Sequence, residues 1–296
     1  MKPDTALLTP HAALRRTKDC TAWRGCEIII LAYFTYLPCL GLIWRLSVGR
    51  LLCLALIPPL LGWIWQAQSR STRRPVQVAR DWWPLTLVLI GYWAVGWFAA
   101  PPHAALQTGF LRWDRLLLYD AHLQAGIESA GPVFPALLET VYLCLYAIPP
   151  LCVGILYACG RRSQVPRFLL FLFAGTFSAY ALLPFLPVIS PRIAFPGADL
   201  PHYRATTWNV ANWLLDCLDI STSVLPSGHV AVAFSSAFGL VSALPSRPIF
   251  GRCALGFAAL VYVATIYCRY HYAVDGLISM VIVCAVCWLA SRLSRP

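Results

Sequence analysis

The sequence predicts an all-α, polytopic membrane helix bundle, and three observations carry that reading. Its 296 residues are 59% hydrophobic and 12% charged, where a soluble domain carries roughly a quarter charged residues. The mean hydropathy is +0.66. Long apolar runs recur from about residue 26 to the C-terminus, each approaching the ~20 residues that cross ~30 Å of hydrocarbon. They leave no room for a soluble domain of useful size.

Taken in order, spans are expected at 26–45, 51–67, 84–100, 136–158, 167–186, 228–245, 250–268 and 273–292, eight in all. The first follows basic residues, but it is long and lacks a small-residue cleavage site, so it reads as a retained span and not as a signal peptide. The second is interrupted by Pro58-Pro59. Such a break is tolerated in a bilayer only where neighbours satisfy the freed carbonyls, and a re-entrant second segment would leave seven spans. The basic stretch Arg70 to Arg80 divides residues 1–80, a cytoplasmic tail with two accessory spans, from residues 81–296, a six-helix catalytic membrane domain. Two long connections interrupt that domain. Residues 104–127 mix Leu111, Trp113, Leu116, Leu117 and Leu118 with Arg112, Asp114, Arg115 and Asp120, which suits a helix lying among headgroups. Residues 187–227 lead into Pro226-Ser227-Gly228-His229.

The formal charge of +11 comes from arginines in short loops between apolar segments. That distribution argues for membrane topology and against a nucleic-acid partner. With eight spans, sixteen of the 23 Lys/Arg fall on one side and seven on the other. The richer side, with both termini, is then cytoplasmic, in a plasma or inner membrane. Most of the twelve cysteines lie in or beside apolar spans and read as small buried hydrophobes. Cys284 and Cys287 have CxxC spacing, but no second motif accompanies them, so no metal is expected there.

In so apolar a chain, each ionisable residue in or near a span is a functional candidate. His229 starts one span, while Arg269, His271 and Asp275 lie between the end of the next and the start of the last. Two crossings separate the groups, placing them on one face, opposite the basic loops and hence extracytoplasmic. Ser227 is placed to cap the helix, Gly228 to let a ligand approach the backbone, and the free amides of a helix N-terminus to receive an anion. His229 is then positioned as a general acid. If the last helix begins near 270, the four-residue spacing puts His271 and Asp275 on one face. The carboxylate would hold one imidazole nitrogen and leave the other unprotonated as a nucleophile. Arg269 is a candidate bidentate phosphate ligand. Glu139, inside the fourth span, needs a polar partner. Trp82, Trp83, Trp93 and Trp97 read as interfacial or packing aromatics, and His103, His122 and His202 carry no assignment.

Pro226-Ser227-Gly228-His229, followed some forty residues later by Arg269-Tyr270-His271-Tyr272-Ala273-Val274-Asp275, resembles the second and third signature motifs of the type-2 phosphatidic acid phosphatase superfamily. The HYxxD form is similar to the inositol phosphorylceramide synthase branch, with sphingomyelin synthases more distant. Ser190-Pro191-Arg192 looks like the Pro-Pro-Arg stretch of that branch, whereas Ala264-Thr265 stand where the phosphatases carry Ser-Arg. The resemblance, over residues 84–292, implies His271 as phosphorylated nucleophile, Asp275 as its orienting partner and His229 as acid on the leaving group. Arg269, Arg192, Ser227 and Gly228 would bind phosphate and substrate, with no metal or other cofactor. It further implies a lipid phosphate or phospholipid substrate taken from the bilayer, with water or a lipid or inositol hydroxyl as acceptor. The rival from another class is an ion or proton-coupled transporter, in which these histidines and Asp275 relay protons; such proteins often show paired halves, and no repeat is visible in this sequence.

Overall fold

The structure, a computed structural model, describes residues 23–98, 100–204, 206–220 and 224–293. It is an all-α bundle with no strand among the described residues. Six helical stretches are long and apolar enough to cross a membrane: Gly25–Ile43, Val48–Ser69, Val133–Ala158, Arg162–Phe185, Pro248–Tyr267 and Ala273–Leu293. They are α1 (Gly25–Ile43), α2 (Val48–Ser69), the consecutive α7 (Val133–Cys144) and α8 (Ile148–Ala158), α9 (Val165–Tyr180) with its flanking 3-10 turns, α13 (Pro248–Tyr267) and α14 (Ala273–Leu293).

Two of the eight expected spans take other forms. The segment expected at 228–245 is α12 (Gly228–Ala243), whose 16 residues extend about 24 Å at 1.5 Å per residue. The segment expected at 84–100 is divided into a 3-10 turn at Trp83–Leu85, α4 (Thr86–Val95) and a second turn at Gly96–Phe98, with α3 (Arg74–Trp82) leading into it. Its α-helical part is ten residues long, shorter than expected because a 3-10 turn bounds it on each side. Pro58 and Pro59 lie within α2 without ending it.

The bundle is organised around α9, which packs against α12, α14, α1 and α4. Small residues let these backbones approach. A Cβ on Gly239 of α12 would sit 3.0 Å from the Phe168 carbonyl oxygen, and one on Gly175 of α9 would sit 2.2 Å from Ser235 Oγ. The close packing of α12 on α9 at these glycines positions the helix that begins with Gly228 and His229. At one end of the bundle, buried Glu27 of α1 takes two bonds from Arg80, at 2.6 and 2.7 Å. Beside it Asp81 receives Arg24, Arg162 and Tyr157. At the other end lie α5 (Ala104–Arg115), a π-helical turn at Leu116–Asp120, α6 (Leu123–Glu128), α10 (Pro191–Ala194) and α11 (Thr206–Leu218), the two long connections of the sequence.

Candidate active site

The N-termini of α12 and α14 are strapped together. Ser227 Oγ accepts from the Val230 amide at 3.3 Å as the helix cap, the Ser227 amide donates to the Asp275 carbonyl at 3.2 Å, and Ser279 Oγ donates to the Ser227 carbonyl at 2.9 Å. The first amides of α12 have no acceptor within the helix. Gly228 has a reason beyond the one expected, since a Cβ there would lie 2.9 Å from Tyr180 Cε1. Its bare backbone is what lets α9 pack against this end of α12.

His271 lies not on α14 but in the tight turn before it, where the Tyr270 and His271 amides both reach the Thr265 carbonyl at 3.0 Å. The turn passes through Arg269 at φ 63°, a left-handed conformation uncommon for a residue with a side chain. Helix α14 therefore begins two residues after His271, and the two-residue offset changes how Asp275 serves it. Asp275 Oδ2 caps the helix through the Tyr272 amide at 3.0 Å and lies 3.4 Å from His271 Nδ1. This separation does not yet complete a hydrogen bond, for His271 Nδ1 and Asp275 Oδ1 both lack partners.

The other nitrogen of His271 meets the second histidine. His229 Nδ1 and His271 Nε2 are 3.0 Å apart, with His229 8% exposed, His271 4% and Asp275 fully buried. Behind His229, Nε2 is met at 3.2 Å by both Tyr142 Oη and Tyr146 Oη.

Arg269, 1% exposed, donates from Nη1 to Asp114 Oδ2 at 2.6 Å, leaving Nε and Nη2 without a partner. Asp114 Oδ1 accepts from the Ala273 amide at 2.8 Å, so one carboxylate on α5 holds both the arginine and the start of α14. Burial pushes its carboxyl up to about 6, against the opposing pull of Arg269. Arg192 is joined to the same turn, its amide donating to the Arg269 carbonyl at 3.1 Å. Its Nη1 bonds exposed Asp216 at 2.8 Å, while Nε is buried and unpartnered. Buried polar groups are ordinarily paired, and here two arginines joined through the backbone of one turn each carry unpaired guanidinium nitrogens. They are suited to a planar or tetrahedral oxyanion.

Next to His229 an apolar cavity of about 220 Å³ runs among Val88, Leu89, Trp93, Pro149, Tyr180 and Val232. Leu89 and Trp93 are 37% and 42% exposed on the outer surface of the bundle, so the cavity borders the membrane side. Tyr92 donates to Asp219 in its wall.

The structure thus brings together His229, His271, Asp275, Arg269, Ser227 and Gly228, with Arg192 linked through the backbone. Glu139 has the polar partner it needed, the Tyr270 hydroxyl at 3.0 Å, and does not bond either histidine. The sequence reads Asp114 only as part of a mixed polar and apolar helix and assigns no role to Tyr142 or Tyr146. Asp114 carries a signal, because Gln107, Leu111, Asp114 and Leu118 are buried at helical spacing, a carboxylate on the inward face of an amphipathic helix. The tyrosines carry none, since an aromatic in an apolar helix is ordinarily packing.

Among known proteins, residues 108–289 match the sequence model of the PAP2 superfamily. A Dictyostelium discoideum protein described as PA-phosphatase related is 33% identical over 110 residues, covering 35% of this chain and 19% of that protein. The match therefore spans about a fifth of the relative's length. No solved structure matches the chain. The matched segment contains both histidines, Asp275, both site arginines and Asp114, and by it the chain belongs to the PAP2 superfamily.

Proposed function

We propose that the chain is a membrane enzyme that cleaves phosphate esters of lipids through a phosphohistidine intermediate. The observation that carries this reading is the 3.0 Å approach of His229 Nδ1 to His271 Nε2, with Asp275 behind the latter. For His271 Nε2 to attack, its proton must sit on Nδ1, toward Asp275. The phosphoryl group enters between the imidazoles and opens their contact. Nε2 forms a bond to phosphorus as the bond to the leaving oxygen breaks, and protonated His229 gives that oxygen its proton. Water or another alcohol then attacks phosphorus, His229 takes back the proton, and the N–P bond breaks. Arg269 Nε and Nη2, Arg192 Nε and the first amides of α12 stabilise the equatorial oxygens, fixed donors of the kind that supply much of the rate in such transfers. The cavity beside His229 takes the first methylenes of the lipid.

The finer reading, transfer of an inositol phosphate headgroup to a lipid alcohol, is supported by the His271-Tyr272 to Asp275 motif and by the position of Arg192 beside Arg269. On the membrane-topology reading, catalysis takes place on the extracytoplasmic face. One experiment tests both readings. Purified protein is given phosphatidic acid, an isoprenyl diphosphate, and phosphatidylinositol with ceramide in parallel. Phosphate release identifies water as acceptor, and a new phospholipid identifies an alcohol. His271→Ala is expected to abolish turnover, and unchanged turnover in that variant overturns the proposal.

A further inference from the structure

The end of the bundle remote from the histidines carries a second constellation. Ser242 lies thirteen residues beyond His229 on α12, about 20 Å along the axis. There a cavity of about 520 Å³ is lined by Arg161, Gln164, Arg167, Ser242, Pro245 and Ser246. Arg167 Nε donates to Ser242 Oγ at 2.7 Å, which fixes the guanidinium against the wall. Arg247 stands next to it, held on Cys159 Sγ at 3.6 Å. Asp81, which pairs with the neighbouring Arg162, is already engaged by Arg24 and Tyr157. Among the described residues, no ion pair involves Arg161, Arg167 or Arg247. The cavity is a concentration of positive charge without its counter-charge.

What lies beside it identifies the occupant. Val241 and Ser242 also line a second cavity, of about 300 Å³, whose other walls are Phe171, Phe238, Cys284, Cys287 and Trp288. This groove runs along α9, α12 and α14 on the outer surface, where Val241 is 42% and Trp288 60% exposed. Arg292 lies over the Trp288 ring at 5.1 Å, at the same end. A basic hollow continuous with an apolar groove matches one kind of molecule, an anionic headgroup with an acyl chain. Basic pockets between membrane helices are suited to such lipids.

We infer that this chain binds an anionic phospholipid at Arg161, Arg167 and Ser242, with one acyl chain in the groove past Val241 and Cys284. The site is separate from the one that holds the histidines, and it stands whether or not those histidines are catalytic. Free phosphate shares the headgroup chemistry but has nothing to place in the groove, and a zwitterionic lipid brings a cation into a cavity already lined by two arginines.

Thermal melting of the full chain in neutral detergent tests this, with phosphatidylglycerol, phosphatidylcholine or inorganic phosphate added. Phosphatidylglycerol is expected to raise the melting temperature by about 3 °C, and the other two by less than about 1 °C, as for a ligand that binds the folded state. Arg161→Gln/Arg167→Gln should remove most of that rise, as should Cys284→Trp, which fills the groove from an exposed position. Should the double variant not fold, Arg161→Gln alone, at an exposed position, should at least halve the rise. An equal rise with phosphatidylcholine, an equal rise with inorganic phosphate, or a full rise in the arginine variants or in Cys284→Trp overturns the inference.

Discussion

Arg269 and Asp114, 155 residues apart, form a buried ion pair at 2.6 Å that ties helix α5 to the turn carrying His271. The pair sits at a left-handed backbone position and leaves two of the three guanidinium nitrogens of Arg269 unengaged.

A pH dependence follows from this pair. Burial raises the Asp114 carboxyl to about 6, so below that pH it is protonated and Arg269 loses its anchoring charge. Turnover should therefore fall as the pH drops through about 6. The fold responds in the opposite sense. A carboxyl bound more tightly to its proton in the folded chain than in the unfolded one adds stability as the pH falls from 6 toward 3.8. Asp114→Asn should remove the acid limb of kcat/KM near pH 6 while lowering the plateau. An acid limb unchanged in that variant would show that another group sets it.

His229 is expected to matter in proportion to the leaving group's need for a proton. General-acid assistance is worth roughly 10²–10⁴-fold where an alkoxide must depart. His229→Ala should lose about that factor with a lipid alkyl phosphate and far less with p-nitrophenyl phosphate, whose leaving group departs as a stable anion. Equal losses on the two substrates would mean that His229 binds phosphate and does not protonate.

Tyr142 is a positioning residue for His229. Its hydroxyl meets Nε2 at 3.2 Å, and the residue is 1% exposed and outside the apolar cavity wall. Removing one such hydrogen bond costs about 1 kcal/mol, so Tyr142→Phe should lower kcat about fivefold and leave KM for the lipid unchanged. A rise in KM with constant kcat would place Tyr142 in substrate binding instead.

The sequence made the helices and the histidine pair legible for different reasons. Helix α14 is apolar through its middle and is read directly, and α4 falls inside the span expected at 84–100, but the 3-10 turns that bound α4 on both sides are not visible in the apolar pattern. The proximity of His229 and His271 was inferable from the two crossings between them and from the motif. The turn geometry was not, because the start of α14 rests on Asp275 capping the Tyr272 amide, on Asp114 accepting from the Ala273 amide and on Arg269 adopting a left-handed backbone. A contact across 155 residues leaves no local periodicity. The same holds for the two tyrosines, whose role is set only when their hydroxyls reach His229 at the start of α12.

The ion pair at the other end of the bundle, Glu27 with Arg80, offers a test of stability apart from chemistry. Both side chains are buried, at 1% and 3% exposure, and joined by two bonds. Removing one member of a buried pair strands the other charge, at a cost of about 3–5 kcal/mol, while replacing both by apolar residues of similar volume is often neutral. Arg80→Met should accordingly lower the melting temperature, and Glu27→Met/Arg80→Met should recover more than half of that loss. Because this pair lies at the end of the bundle away from His229, kcat below the melting transition should stay within about twofold in both variants. A loss of kcat without a loss of stability would reveal that α1 communicates with the histidines, through the stack of Tyr33 on Phe177 in α9.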